Sequence, residues 1–138
     1  MNLELLQGKT ILITGATGLI GSSLVKYLTS LHKGVDNPVQ VIGLVRNLKK
    51  AETMFKGIQN IRFVVCDVLE TISIEEPIDF IVHAASQTSS KSFINSPVET
   101  IKVAVQGTIN MLEFARINKV SSFVYLSTME VYGAPITD

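Results

Sequence analysis

Residues 10–22 read TILITGATGLIGS, a short apolar run followed by glycines at positions 15, 18 and 21. The run at 11–13 is long enough for a buried strand and too short for a helix. Apolar residues resume at helical spacing after the glycines, so the pattern predicts a strand, a tight turn and the start of a helix. Such a turn offers free backbone N–H groups and the positive end of a helix dipole to a pyrophosphate.

The glycine spacing in this turn is GxxGxxG, which departs from the GxGxxG dinucleotide fingerprint. Each glycine still has a physical role: Gly15 forms the turn, Gly18 allows the phosphates to approach, and Gly21 lets the helix pack against the strand. Because the turn lies between an apolar strand and an amphipathic helix, nucleotide binding is the favoured interpretation.

The composition is typical of a single globular domain: of 138 residues, 46% are hydrophobic and only 17% are charged. So few charges suit a sheet that helices cover on both faces. Twelve basic and twelve acidic residues cancel, which argues against nucleic acid or an anionic membrane as the main partner. We expect a cytoplasmic protein, since the first residues lack a signal-peptide pattern and no apolar run approaches ~20 residues.

Cys66 is the single cysteine of the chain, which excludes an internal disulfide and fits a reducing compartment. Its setting in IRFVVCD predicts a small buried side chain at the end of a strand, not a reactive thiol.

Strands that alternate with helices predict one doubly wound α/β domain with parallel strands and right-handed crossovers. The expected strands are 11–13, 39–45, 61–66, 78–82 and 123–126. Expected helices run from the glycine turn to about Leu31, where His32, Lys33 and Gly34 end it, over 48–55, and from Pro97 to about Asn118. The segment 69–77 is predicted as a short helix or loop, and the polar segment 86–92 as a mobile loop.

The residues that follow the predicted strands are all polar, small or rich in glycine. They are 15–21, 45–46, 67–68, 83–86 and 127–130. Because ligands of parallel α/β sheets bind beyond the carboxyl ends of the strands, these segments are expected to form one ligand site.

Taken together, these segments resemble the extended short-chain dehydrogenase/reductase family, in particular its nucleotide-sugar epimerase/dehydratase group. The motifs are TGATGLIG at 14–21, DV at 67–68, HAAS at 83–86, GT at 107–108 with LE at 112–113, and STMEVYG at 127–133. The resemblance implies an NAD(P)-binding, Rossmann-like domain of at least five strands over residues 1–138. It also implies an enzyme that moves a hydride transiently from a carbon of a nucleotide sugar.

The resemblance implies cofactor contacts at Gly15, Thr17, Gly18, Leu19, Ile20, Gly21, Arg46, Asp67, Val68, Ala84, Ala85 and Ser86. The glycines would surround the pyrophosphate, and Asp67 would accept a hydrogen bond from the adenine amine while Val68 packs beside the ring. Ala84 and Ala85 would let the backbone approach the ribose nearer the nicotinamide. Asp67 could equally be an ordinary turn residue at a strand end.

Two further positions match catalytic residues of the family. Thr128 matches the hydroxyl that bonds the sugar oxygen being oxidised, and Glu130 matches the acid/base glutamate of the dehydratases. Met129 replaces the aspartate that often precedes this glutamate, so epimerase or another oxidoreductase activity is favoured over dehydratase. Glu130 could equally cap a helix or form a salt bridge.

The family's base is a tyrosine with a lysine four residues later, and the chain lacks this motif. Tyr27, Tyr125 and Tyr132 are followed at that spacing by Leu31, Met129 and Ile136. We therefore expect an inactive fragment, the cofactor half of a longer enzyme. Ala104 stands where many relatives have an asparagine, which argues against a proton relay there.

Two alternatives remain open at this point. The first is a complete chain that binds a dinucleotide as a sensor or interaction module without chemistry, and the second, less favoured, is a flavodoxin-like or response-regulator fold. The cofactor expected from the resemblance is NAD. However, Val45 occupies the place of the usual acid and Arg46 follows it, so Arg46 could pair with the 2′-phosphate of NADP or be a solvated cation. A homodimer through the helix that begins at Pro97 is also expected.

Overall fold

The computed structural model describes residues 3–31 and 36–133, and of Leu3, Ser90, Met129 and Glu130 it describes the backbone alone. Five strands form one sheet: β1 (Thr10–Thr14), β2 (Gln40–Val45), β3 (Ile61–Val65), β4 (Phe80–His83) and β5 (Ser122–Tyr125). Their order is β3-β2-β1-β4-β5, and every neighbouring pair is parallel. The direction of strand addition reverses at β1, which creates the switch point at which such sheets bind ligands.

Four helices accompany the sheet: α1 (Leu19–Ser30), α2 (Leu48–Met54), α3 (Ser90–Asn95) and α4 (Pro97–Ile117). Short 3₁₀ turns lie at Leu3–Leu6 and Met129–Tyr132. The alternation of β1 separates two cores, because successive side chains of a strand point to opposite faces. Ile11 and Ile13 pack with Val25 and Leu28 of α1, whereas Leu12 packs in the second core with Met111 and Phe114 of α4.

This architecture confirms the predicted doubly wound, Rossmann-like α/β fold with five parallel strands. The strands and the predicted helices agree with the expected ones to within a few residues, and the segment 69–77 contains no helix. The predicted residues at the end of the first helix, His32, Lys33 and Gly34, lie outside the described residues.

The prediction of a loop over 86–92 is wrong in its second half, where α3 begins at Ser90. This helix lacks the apolar periodicity that marks a helix in a sequence. The N–H groups of Ser92 and Phe93 donate to the Ser89 carbonyl, at 2.8 and 3.2 Å. The Ser96 N–H donates to the Ser92 carbonyl at 2.9 Å, which joins the end of α3 directly to the start of α4.

Two apolar patterns face solvent. Leu19 and Ile20, at the start of α1, are 87% and 59% exposed. On α4 the stripe formed by Ile101, Val105, Ile109 and Leu112 is also exposed, while the buried positions are Gly107, Met111 and Phe114. The expected burial of Cys66 is likewise only partial, since β3 ends one residue before it.

Among the described residues, no helix has the combination of length and apolar character that a membrane span requires.

Candidate functional site

The glycine turn after β1 is closed by contacts that exclude side chains. Gly15 has a φ of +65°, and a Cβ placed on it would lie 2.7 Å from the Ala84 carbonyl oxygen. A Cβ on Gly21 would lie 2.2 Å from the Gly15 carbonyl oxygen, and one on Gly18 would lie 3.1 Å from the same atom. The turn therefore presses on the residues after β4 on one side and on α1 on the other, and a larger residue would open it.

The N-terminus of α1 is presented beyond this turn. Its N-cap is Gly18, which has no side chain that could cap the helix, and the first turn of α1 contains no acidic residue. The first backbone N–H groups of a helix lack partners within the helix and carry the positive end of its dipole. Thr17 is half-buried beside them. The site can therefore accept an anionic group such as a pyrophosphate.

The ends of β2 and β3 bring Arg46 and Asp67 together. Arg46 Nη1 lies 3.9 Å from Asp67 Oδ2, with side chains 72% and 31% exposed. Asp67 Oδ1 accepts a hydrogen bond from the Leu69 N–H at 3.0 Å, and the Asp67 N–H donates to Glu70 Oε2 at 3.2 Å. Asp67 is thus a turn residue whose second carboxylate oxygen lies near Arg46. The neighbouring Cys66 thiol has a raised pKa. Partial burial is the largest cause, and the charges of Glu70 and Asp67 add to it.

Val68 is fixed by α4. It is 7% exposed, and its carbonyl accepts a hydrogen bond from Asn110 Nδ2 at 2.9 Å. A Cβ on Gly107 would lie 2.8 Å from Val68 Cγ2, so the close approach of α4 requires a glycine there. Asn110 is not among the residues predicted from the sequence, although its position one turn after Gly107 is a usable signal.

His83 ends β4 in a buried polar cluster that the sequence analysis also missed. His83 is 1% exposed and Thr14 is fully buried. Nδ1 of His83 lies 2.7 Å from Thr14 Oγ1, and Nε2 lies 3.2 Å from Thr108 Oγ1. Thr14 Oγ1 also accepts from the N–H groups of Ala84 and Ala85, at 3.1 and 3.0 Å. Burial lowers the pKa of His83.

The catalytic candidates follow β5, the strand next to β4. Tyr125 pairs with His83 in the sheet, and its ring stacks on the imidazole at 5.7 Å between centroids. Ser127 has a φ of +55°, which turns the chain at the end of the strand. Thr128 is exposed, as is Ser86 after β4. The side chain of Glu130 lies outside the described part of the chain.

The sheet order thus brings the predicted segments to one edge: the glycine turn stands between Arg46 and Asp67 on one side and residues 84–86 on the other, with Thr128 beyond β5. Within the described ranges, no group of His, Cys, Asp and Glu side chains is arranged to hold a metal ion.

A family model described as "NAD dependent epimerase/dehydratase family" matches residues 11–138. The probable dTDP-glucose 4,6-dehydratase of Sinorhizobium fredii is 33% identical over 140 residues, which cover 90% of this chain and 39% of the relative. UDP-glucuronic acid decarboxylase 1 of Danio rerio is 37% identical over 131 residues, which cover 92% of this chain and 29% of the relative. The chain therefore spans about two fifths or less of the length of these relatives.

Solved structures agree. An epimerase from Methanothermobacter thermautotrophicus superposes with a TM-score of 0.75 at 27% identity, covering 89% of this chain and 36% of that one. UDP-glucose 4-epimerase of Bifidobacterium longum, solved with NAD⁺ and UDP, gives a TM-score of 0.73 and covers 94% of this chain and 40% of that one. At 22% identity, the second likeness shows the fold alone.

Proposed function

This chain belongs to the NAD-dependent epimerase/dehydratase family, and we propose that it is the dinucleotide-binding part of an enzyme that acts on a nucleotide sugar. Membership confirms the resemblance inferred from the strand-end motifs. The observation that supports dinucleotide binding best is the glycine turn at the switch point, closed against Ala84 and followed by a helix N-terminus without a side-chain cap.

The residues of the turn fit a dinucleotide. The glycines let the turn close tightly, because a Cβ on Gly15, Gly18 or Gly21 would meet backbone atoms. The start of α1 then supplies N–H groups to a pyrophosphate without a competing carboxylate. Asp67 Oδ2 would accept from the adenine amine while Oδ1 keeps its bond to Leu69. Bound NAD would supply the acceptor for a hydride from a sugar carbon.

The remaining cofactor contacts are proposed from their positions at the same edge. Thr17, Leu19 and Ile20 would line the phosphates, and the exposure of Leu19 and Ile20 is consistent with apolar cover for a ligand. Ala84, Ala85 and Ser86 would adjoin the ribose nearer the nicotinamide, because their small side chains allow the backbone to come close.

For the chemistry, we propose that the Thr128 hydroxyl bonds the sugar oxygen being oxidised and that Glu130 assists proton transfer. Met129 in place of an aspartate favours epimerisation or another oxidoreductase-type reaction over dehydration. None of the three tyrosines has a lysine four residues later, so this chain does not itself provide the tyrosine and lysine pair. It is therefore expected to bind dinucleotide without turnover of a nucleotide sugar, and detectable epimerisation by the chain alone would contradict that expectation.

A second candidate is a dinucleotide-binding sensor or interaction module without chemistry. The two candidates differ in the gene: a reading frame that continues past Asp138 into a Tyr-x-x-x-Lys motif supports the enzyme, whereas a stop codon directly after Asp138 supports the module.

The experiment that tests dinucleotide binding is calorimetric titration of NAD into the chain and into Gly15→Ala. The added methyl would meet the Ala84 carbonyl, so affinity should fall at least about tenfold, the effect of about 1.4 kcal/mol. Gly57→Ala is the matched control, because Gly57 also has a positive φ, +86°, but has no neighbour within 4 Å. Backbone strain should cost each variant about 1 kcal/mol of stability, and Gly15→Ala should lose more because its Cβ meets the Ala84 backbone. Only Gly15→Ala should lose binding. Equal affinities in the two variants would refute the site.

A further inference from the structure

We propose that His83 is a positioning residue: its neutral form, protonated on Nε2, holds the Ala84–Ala85 peptide against the glycine turn, and its protonation releases that peptide. That the Ala84–Ala85 peptide borders a dinucleotide site rests on the proposed function. The hydrogen bonds around His83 stand independently of it.

Thr14 determines the state of Nδ1. A hydroxyl oxygen has two acceptor lone pairs and one O–H donor. Both lone pairs of Thr14 Oγ1 are used by the N–H groups of Ala84 and Ala85, at 3.1 and 3.0 Å. The 2.7 Å contact between Thr14 Oγ1 and His83 Nδ1 must therefore use the hydroxyl proton. Nδ1 accepts this bond, so it carries no proton.

Thr108 determines the state of Nε2 by a separate argument. Its Oγ1 lies 2.6 Å from the Ala104 carbonyl oxygen, and a carbonyl can only accept, so Thr108 donates its proton there. The contact of 3.2 Å between Thr108 Oγ1 and His83 Nε2 then requires the imidazole to donate. Both threonines thus specify the same neutral tautomer, and every donor in the chain of bonds has one acceptor.

The chain of bonds ends at the glycine turn. Thr14 is the last residue of β1 and precedes Gly15, and it holds the backbone of Ala84 and Ala85. A Cβ on Gly15 would lie 2.7 Å from the Ala84 carbonyl oxygen and 2.8 Å from the Ala85 nitrogen. The peptide that Thr14 binds is therefore the peptide against which the turn closes.

A proton on Nδ1 disrupts this arrangement. Thr14 Oγ1 would then face three N–H donors with two lone pairs, so one of them must lose its acceptor. In a buried site that loss is costly, and moving the Ala84–Ala85 peptide outward relieves it. The imidazole is hydrogen-bonded to Thr14 of β1 and Thr108 of α4 and lies beside two rings of β5, and of these four side chains Tyr125 carries an ionisable group. Among the described residues, no carboxylate forms an ion pair with His83, so the added charge has no partner.

Nitrogen NMR of the imidazoles tests the tautomer without altering His83. The chain contains two histidines, so His32→Gln leaves His83 as the single imidazole. We expect a proton on Nε2 and none on Nδ1 at neutral pH, with the second proton added only below about pH 6.5, the ordinary pKa of histidine. As His83 titrates, the amides of Ala84 and Ala85 should lose protection from hydrogen exchange. A proton on Nδ1 at neutral pH, or amides that stay protected, would overturn the proposal.

Binding provides the second readout. In His83→Asn, the side-chain oxygen can still accept from Thr14, but the group does not titrate. As the pH falls from about 7.5 to about 4.5, the NAD affinity of the wild-type chain should stay constant until His83 takes up its second proton, below about pH 6.5, and should then fall by up to about tenfold for each further pH unit. The affinity of His83→Asn should be about constant over that range. An equal loss in both proteins would overturn the proposal.

The two readouts also separate this proposal from the function on which it rests. If no protein binds NAD at any pH while the Ala84 and Ala85 amides open with His83, the proposed function fails and the role of His83 stands. If NAD binds and the exchange protection of the Ala84 and Ala85 amides does not change as His83 titrates, the proposed function stands and the role of His83 fails. Because the NMR experiment leaves His83 unchanged, it decides the matter even if His83→Asn does not fold.

Discussion

At the residue scale, Asn110 is the side chain whose removal should most directly disturb the Asp67–Val68 turn. Its Nδ2 donates to the Val68 carbonyl at 2.9 Å, and its Oδ1 accepts from Gln106 at 2.7 Å. Asn110→Ala should cost about 1 kcal/mol of stability and weaken dinucleotide binding about threefold to tenfold, because the turn that would hold the adenine loses its anchor. Calorimetric titration together with urea unfolding measures both effects.

Asn118→Ala is the control for this prediction. Asn118 Nδ2 makes the same kind of bond to a backbone carbonyl, that of Phe114, at 2.8 Å on the same helix, but at the end away from the site. A similar loss of stability with unchanged affinity is expected. An equal loss of affinity in both variants would show that general weakening of α4, and not the Val68 contact, is responsible.

Arg46 allows a test of the cofactor choice. We expect NAD to bind more tightly than NADP, because Arg46 lies at ion-pair distance from Asp67 and the family is described as NAD-dependent. An exposed pair contributes about 1 kcal/mol or less, so Arg46→Ala should change NAD affinity by about fivefold at most. The measurement is calorimetric titration with both dinucleotides, with Lys102→Ala on α4 as the control for lost charge. Tighter NADP binding that disappears in Arg46→Ala would reverse the preference.

Some site residues could be predicted and others could not, for a physical reason. A local motif reveals the glycines of the turn, because the positive φ of Gly15 and the closeness of Gly18 and Gly21 to the Gly15 carbonyl are set within the turn itself. Thr108 and Asn110 act through His83, 25 residues away, and Val68, 42 residues away. No local pattern records such a contact, and the partner becomes visible only once the sheet places α4 above the strand ends.

At the scale of secondary-structure elements, Asp79 connects the starts of two strands at the edge of the sheet away from the site. Its Oδ1 accepts from Lys9 Nζ at 2.8 Å, and its Oδ2 accepts from the Thr10 N–H at 2.9 Å. The hydrogen bond from Lys9 is the largest cause that lowers the pKa of Asp79. The stability that ionised Asp79 contributes is therefore fully present above a pH of about 3.9, which is the pKa of the carboxyl in the unfolded chain. It is lost as the pH falls through the lower pKa of Asp79 in the folded chain.

Asp79→Asn should cost about 1 kcal/mol at neutral pH, and this difference should vanish in strong acid. Urea unfolding at neutral pH and near pH 2 measures it, at concentrations that keep the chain monomeric. Glu113→Gln is the comparison: Glu113 also has a lowered pKa because of its bond to Arg116, but that pair is fully exposed, so its stability effect should be much smaller. A cost of Asp79→Asn that persists unchanged in acid would contradict the assignment.

The helices show what periodicity can and cannot predict. Repeating apolar residues identified α4 correctly, but the most regular stripe, which includes Ile101 and Val105, faces solvent, and the buried side carries a glycine, a methionine and a phenylalanine. Periodicity shows that a helix has an apolar face but does not say what covers it. The sequence of α3 does not indicate a helix, because its serines favour loops and helix caps.

At the scale of the whole molecule, the exposed stripe of α4 favours association. Ile101, Val105 and Ile109 are 61%, 55% and 51% exposed, and a contiguous apolar surface of this kind marks an interaction site. We expect the chain to dimerise through α4, and Val105→Glu to give a monomer. Sedimentation equilibrium measures this, with Lys102→Glu on the same helix as the control for added negative charge. A wild-type chain that remains monomeric at high concentration would contradict the expectation.

The overall fold could be predicted because the sheet signal repeats five times: an apolar run, then a small or polar residue at its carboxyl end. Each repetition is weak alone, but parallel strands bring all five ends to one edge. The strand order carries no such local signature. It follows from which crossover passes on which side of β1, and therefore from the packing of complete helices.

The position of β1 between β2 and β4 has a consequence for how the molecule assembles. β1, β2 and β3 are neighbours both in the chain and in the sheet, so they can pair through short crossovers. β4 must be added on the other side of β1, and the bonds from Ala84 and Ala85 to Thr14 join residues 70 and 71 positions apart. The glycine turn therefore lies where the part of the sheet built from β1, β2 and β3 meets the part built from β4 and β5. The candidate site needs residues from both parts, so ligand binding by the chain would show that both parts are correctly folded.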